Sequence, residues 1–174
     1  MTKGYIGIDI GKKGAIVYQH FNGEIEAHPV PMIKEEVDYA FMYDIIHHMC
    51  SKHINDYNCN PHIIFEKLGV IFGSSKATAF SMGYQSGAIE MIAISLGVPY
   101  TKVSAKEWQK EMFKGVDEIT KPGKTSRDTK AMALIAAKRL FPKESFRFNS
   151  KEGKPHDGYV DALLMAEYAK RKSF

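Results

Sequence analysis

Four carboxylates in this chain stand where structure alone gives little reason for an acid. Asp9 stands at the centre of the β-branched run GYIGIDIGKKGAIVY, and Glu66 closes the aliphatic stretch IIFEKL. Asp157 and Asp161 are four apart in HDGYVDALLMA, on one face at the start of a helix whose stripe continues apolar through Leu164 and Ala169. A carboxylate on a half-buried sheet must reach an open face or find a partner, because an unpaired buried charge is strongly destabilising. Several such groups brought together repel unless something cationic lies among them. Oxygen-only ligation of that kind suits Mg²⁺, with Mn²⁺ as a substitute. Two such ions roughly 3.5–4 Å apart clamp the attacking and leaving oxygens of a phosphodiester displacement. Taken singly, Asp9 reads equally as a turn acid, Glu66 as a surface residue and Asp157 as a helix N-cap. Their joint occurrence in strand, strand and terminal helix favours the metal site.

The elements that must position these acids follow from periodicity. Two short strands flank a tight Lys12-Lys13 turn between Gly11 and Gly14, and a third strand over 24–30 follows the Asn22-Gly23 turn. The spacing of Val37, Ala40, Phe41, Ile45, Ile46 and Met49 predicts a helix over 35–53 with acids in its first turn. A strand over 60–69, a long helix over 74–97 closed by Gly97, a strand over 98–104 and helices over 105–113, 126–140 and 157–172 complete the order. Three antiparallel strands followed by helix–strand alternation describe an α/β fold with a mixed five-stranded sheet, later strands parallel, and helices on both faces.

At 174 residues the chain reads as one domain over 1–174, with 44% hydrophobic and 25% charged residues, ordinary for a globular protein. No apolar run reaches membrane-spanning length and the N-terminus has no signal-peptide core, so a cytoplasmic setting is expected. Cys50 and Cys59 form no disulfide framework. Charge is uneven: residues 1–101 hold 7 basic and 10 acidic side chains, and residues 102–174 hold 17 and 10. The concentration over 121–154 suggests a polyanionic partner, with Lys121, Lys124 and Arg127 as backbone-binding candidates whose affinity would depend strongly on salt.

PGKTS (122–126) is not a phosphate-binding P-loop, since Glu118 occupies the first glycine position and no strand precedes it; a mobile cationic loop fits better. Phe72, in the glycine-bracketed GVIFGSSK, could stack on an unpaired base or anchor its own loop. Trp108 reads as packing for its short helix. Residues 47–62 gather four histidines and both cysteines, but their spacing matches no standard zinc site. Gly83-x-x-x-Gly87 with Ala88 offers a small-residue face to another helix or to the chain's own sheet.

Taken together, GIDIG, the acid in IIFEKL, the helix over 74–97, VSAKEW, TKAMALIAAKRLFP and the closing HDGYVDALLMA resemble the RuvC-like Holliday-junction resolvases, particularly their compact bacteriophage versions, within the RNase H-like superfamily. The resemblance runs end to end. It implies an RNase H-like fold and a homodimeric, Mg²⁺-dependent endonuclease that nicks opposed strands of a four-way DNA junction, leaving 5′-phosphate and 3′-hydroxyl ends. Asp9, Glu66, Asp157 and Asp161 then correspond to metal ligands, Lys130 to the basic residue near the scissile phosphate, and the long helix to the dimer-forming one. One departure matters: Gly158 stands where well-studied bacterial members carry the first of their last two acids, so Asp157 or His156 must supply that ligand. Two further readings compete. A non-catalytic nucleic-acid binder would use only the basic half, and half of an actin-like or sugar-kinase ATPase would share GIDIG but needs a second lobe.

Overall fold

The computed structural model describes residues 2–57, 59–67, 76–149, 151 and 153–174. A five-stranded sheet forms its centre, built from β1 (Thr2–Asp9), β2 (Ala15–Gln19), β3 (Ile25–Pro29), β6 (Cys59–Glu66) and β7 (Tyr100–Val103) in the order β3-β2-β1-β6-β7. β1, β2 and β3 pair antiparallel, whereas β6 joins β1 and β7 joins β6 in parallel. This is the mixed sheet the sequence predicts.

Period-two alternation gives the sheet two buried faces. Ile6, Ile8, Ile16, Tyr18, Ile63 and Phe65 pack under α1 (Tyr39–Tyr57) and α2 (Lys76–Ser95). Tyr5, Ala15, Val17, Ile64 and Val103 face α3 (Ala105–Met112), α4 (Thr129–Leu140) and α5 (Asp157–Lys172). α5 is enclosed almost all round, with Tyr159, Val160, Ala162–Ala166, Tyr168 and Ala169 buried, because it lies between the sheet and the α3–α4 pair. Helices on both faces are thus present, and among the described residues none is long and apolar enough to cross a membrane.

Several boundaries differ from those periodicity predicts. Residues 35–37 do not open a helix: β4 (Met32–Ile33) and β5 (Glu36–Val37) pair as a small hairpin through Lys34, at φ 55°. The first helix begins only after Asp38, whose Oδ1 accepts from Phe41 N–H at 3.0 Å, so no acid lies inside its first turn. α4 likewise starts three residues late, because Asp128 caps it by accepting from Ala131 N–H. Gly97, at φ 65°, ends α2 as expected, with Val98 N–H returning to the Ala93 carbonyl.

Candidate active site

Asp9 shares the face of β1 that carries Tyr5, and Glu66 shares the face of β6 that carries Ile64. The parallel register runs through Ile6–Ile63 to Ile8–Phe65, so the next step sets Asp9 beside Glu66 at the ends of neighbouring strands. α5 crosses this end of the sheet at unusually close range. A Cβ on Gly7 would stand 1.9 Å from the Ala162 carbonyl oxygen. One on Gly158 would stand 2.5 Å from the Lys13 carbonyl oxygen and 2.9 Å from Asp9 Oδ2. Two glycines therefore seat the helix backbone on β1 and on the β1–β2 turn, and Asp161 lies between those contacts. The second contact also explains the departure at Gly158: any side chain there would press on the Lys13 carbonyl and on Asp9 unless the helix shifted.

The acids respond to one another. Burial, then the charges of Asp161 and Glu66, push the Asp9 carboxyl up to about 8, against a smaller lowering by Lys130. Burial and the Glu66 and Asp157 carboxylates push Asp161 up to about 7. Glu66 is also raised by burial, opposed by the indole N–H of Trp108. Asp9 and Asp161 open onto a cleft of about 680 Å³ also lined by Gly11, Lys13, Lys130, His156 and Asp157. Glu66 is not part of the cleft wall. Another acid of α5, Glu167, accepts from Gln19 Nε2 at 2.8 Å and pairs with Arg171 at 2.9 Å. The side-chain carboxylates of Asp9 and Asp161 make no hydrogen bond or ion pair among the described residues. Nor is any set of three acidic, His or Cys side chains among them drawn closely enough to close around an ion, as expected of carboxylates that repel one another and whose charge Lys130 alone offsets appreciably. An all-oxygen set, half-buried and short of positive charge, fits a hard divalent cation.

No protein-family model matches the sequence, and no curated protein does. Solved structures do. The chain is similar to Thermus thermophilus RuvC in complex with a Holliday junction substrate, at 14% identity and a TM-score of 0.54, covering 97% of this chain and 96% of that one. It is similar to Thermus thermophilus RuvC alone, at 16% identity and a TM-score of 0.55, with 98% and 96% covered. The yeast mitochondrial Holliday junction resolvase Ydc2 aligns at 12% identity and 0.54, over 98% of this chain and 78% of its own. The chain has the RuvC fold.

On the RuvC fold the remaining expected site residues divide. Asp157 is the first residue of α5 and mostly exposed; it is not the N-cap, a role His156 takes by accepting from Tyr159 N–H through Nδ1 at 3.3 Å. Asp157 Oδ2 instead holds Lys130 Nζ at 2.6 Å. That bond raises the Lys130 ammonium above its usual range, with Asp161 and Asp9 contributing. Lys130 therefore borders the cleft beside the acids. Lys121, Lys124 and Arg127 lie on an exposed turn that is more ordered than a free loop: Thr120 bridges to Arg127, and Lys124 N–H bonds the Lys121 carbonyl at 3.0 Å around Gly123. Arg127 pairs with Glu118 at 3.3 Å. Phe72 lies outside the described residues.

The structure adds basic residues that charge density alone does not single out. Lys106 and Lys110 on α3 and Lys114 in the turn just beyond it follow one another at four-residue spacing and line a groove of about 600 Å³ with Gln109, Arg127 and Thr129. The i, i+4, i+8 repeat is the signal that would have found them. In the His- and Cys-rich stretch 47–62, whose spacing matches no standard zinc site, the described side chains have other work: Cys50 is a core residue whose thiol burial pushes up to about 12, His47 stacks on Tyr43, and buried His62 meets Thr101 Oγ1 at 2.9 Å.

Proposed function

We propose that this chain is a structure-selective DNA endonuclease that hydrolyses phosphodiester bonds at four-way junctions with the aid of divalent cations. The observation that carries this reading is the convergence of Asp9, Glu66 and Asp161 from two strands and a helix into one mutually repelling cluster, on a fold shared with junction resolvases. Mg²⁺ or Mn²⁺ held by these three carboxylates, with Asp157 at the rim, would neutralise charge developing on the attacking and leaving oxygens and leave 5′-phosphate and 3′-hydroxyl ends. Lys130, whose one partner among the described residues is an exposed carboxylate, could exchange it for a phosphate oxygen and hold the strand over the cleft. The exposed turn with Lys121, Lys124 and Arg127, and the row of Lys106, Lys110 and Lys114 along α3 and the turn after it, would follow the duplex backbone.

A junction has two-fold symmetry, so a homodimer is the natural partner for it. α2 supports one: Phe80, Tyr84, Met91 and Ile94 are 75%, 59%, 61% and 55% exposed, and Gly83 and Gly87 on the same stripe have open space above them. A second copy of α2 would cover that stripe. The deciding experiment incubates purified protein with end-labelled four-way, three-way and linear duplexes, with Mg²⁺ or with EDTA. Cleavage of the four-way substrate that needs Mg²⁺ and disappears in Asp9→Asn is expected. Junction binding with no cleavage of any substrate would leave a nucleic-acid binder.

A further inference from the structure

Trp108 is 1% exposed, and its Nε1 is one of two buried side-chain nitrogen or oxygen atoms among the described residues that lack a hydrogen-bond partner. A buried, unpaired donor destabilises a fold and is rare enough to need a reason. The ring packs in the α5-side core and meets Phe113 edge-on at 6.0 Å, work that a phenylalanine would do without burying an N–H. What distinguishes the indole is where it points. Glu66 pairs with Val103 at the end of β6, and Ser104, the next residue, caps α3 through a reciprocal box with Glu107. Trp108 is the fourth residue of that helix, and helical side chains lean toward the N-terminus. Its N–H is thereby carried back to the Glu66 carboxylate, near enough to favour the charged form without reaching hydrogen-bond geometry.

We propose that Trp108 is a positioning residue for the cation site: its indole N–H donates to one Glu66 oxygen when a divalent cation engages the acid cluster, and so fixes which oxygen faces the cation. This rests on the cation-binding reading above. A carboxylate drawn toward a cation presents its second oxygen away from it, and the indole is the donor placed to receive it. The unpaired indole N–H is then satisfied as the cation binds, which makes the hydrogen bond and cation binding mutually reinforcing.

The chain has a single tryptophan, so its indole N–H gives one unambiguous resonance in a ¹⁵N–¹H correlation spectrum. Titrating the full chain with MgCl₂ is expected to move that proton downfield, with the same midpoint as Mg²⁺ binding measured by calorimetry, and Glu66→Gln is expected to abolish the shift. Trp108→Phe, which keeps the ring, is expected to melt in EDTA at or above the wild-type temperature. It should bind Mg²⁺ about ten-fold more weakly, the usual effect of losing an outer hydrogen-bond partner. Its junction cleavage should fall at low Mg²⁺ and recover at high Mg²⁺. An unmoved indole resonance while calorimetry registers Mg²⁺, or wild-type Mg²⁺ affinity in Trp108→Phe, overturns the role of Trp108 and leaves the cation site standing. No Mg²⁺ binding by the wild-type chain overturns both. Should Trp108→Phe fail to fold, the wild-type and Glu66→Gln titrations decide the matter.

Discussion

Asp9→Asn should stabilise the metal-free protein at neutral pH while removing its activity. The Asp9 carboxyl is held at about 8 in the folded chain against an ordinary value of 3.8. Between those values the folded chain keeps a proton that the unfolded chain has released, so stability is highest in acid and declines as pH rises toward 8. The slope is about 1.4 kcal/mol per pH unit for one group, so Asp9 alone removes at most ~2.7 kcal/mol between pH 5 and pH 7. Its opening onto the cleft lets water share the charge, and about 1–2 kcal/mol is the expected loss, or about 2–8 °C in melting temperature for a domain of this size. Asp161 and Glu66 are raised for related reasons and slope the same way. His62, held below its usual value by burial and by Lys3, slopes oppositely.

The difference between wild type and Asp9→Asn isolates the one carboxylate from these other groups. Urea denaturation in EDTA should give near-equal stabilities at pH 5 and an advantage for Asp9→Asn that opens steadily by pH 7. Saturating Mg²⁺ should reverse the order, since cation at about a hundred times its dissociation constant adds ~2.7 kcal/mol to the wild type alone. Parallel pH profiles for the two proteins in EDTA would refute the reasoning, because they would mean that folding leaves the Asp9 proton unaffected.

Gly158→Ala places a methyl 2.5 Å from the Lys13 carbonyl oxygen and 2.9 Å from Asp9 Oδ2, and should cost about 1–3 kcal/mol in denaturant titrations and lower cleavage ~10²-fold by displacing the acids. Lys130→Ala should change stability by less than about 1 kcal/mol, because its ion pair with Asp157 is exposed on both sides, yet reduce junction cleavage ~10²-fold. Phe80→Glu with Met91→Glu should convert a dimer to a monomer in sedimentation velocity without changing the melting temperature of the protomer; a wild-type monomer would remove the proposed α2 interface.

What the sequence revealed about this site was whatever a period could carry. Alternation in β1 places Asp9 on the Tyr5 face, and the aliphatic run before Glu66 marks a buried strand, so two acids could be assigned to one sheet without coordinates. The i, i+4 relation of Asp157 and Asp161 was equally plain. Their different fates were not, because Asp157 precedes the enclosed part of α5 and meets Lys130, 27 residues away, while Asp161 faces the sheet. The hairpin at 32–37 escaped for a local reason: it turns through Lys34 at positive φ, where the sequence offers no glycine, and its acids imitate a helix first turn. Trp108 looks like any core aromatic until Val103 and Glu66 are seen to pair, which brings Trp108, on the helix that follows, to Glu66, 42 residues before it.

The two tight glycine contacts bear on why the acids stay repelled. If side chains separated α5 from the sheet, the helix could slide outward by the length of a bond or two and let the carboxylates relax. Gly7 against the Ala162 carbonyl and Gly158 against the Lys13 carbonyl leave backbone touching backbone at both sides of Asp161. The apolar core that surrounds α5 resists any retreat, since opening it would expose Leu163, Leu164 and Met165, all fully buried. The electrostatic strain therefore has two outlets, protonation or a cation, and at neutral pH the second competes directly with the first. A loosely seated helix would have let the carboxylates relax and given a weaker site. Restoring slack, as Gly158→Ala does by pushing the helix away, should accordingly lower the apparent proton affinity of Asp9 and the affinity for Mg²⁺ together, and a variant that lost one while keeping the other would show that the two are not set by the same contact.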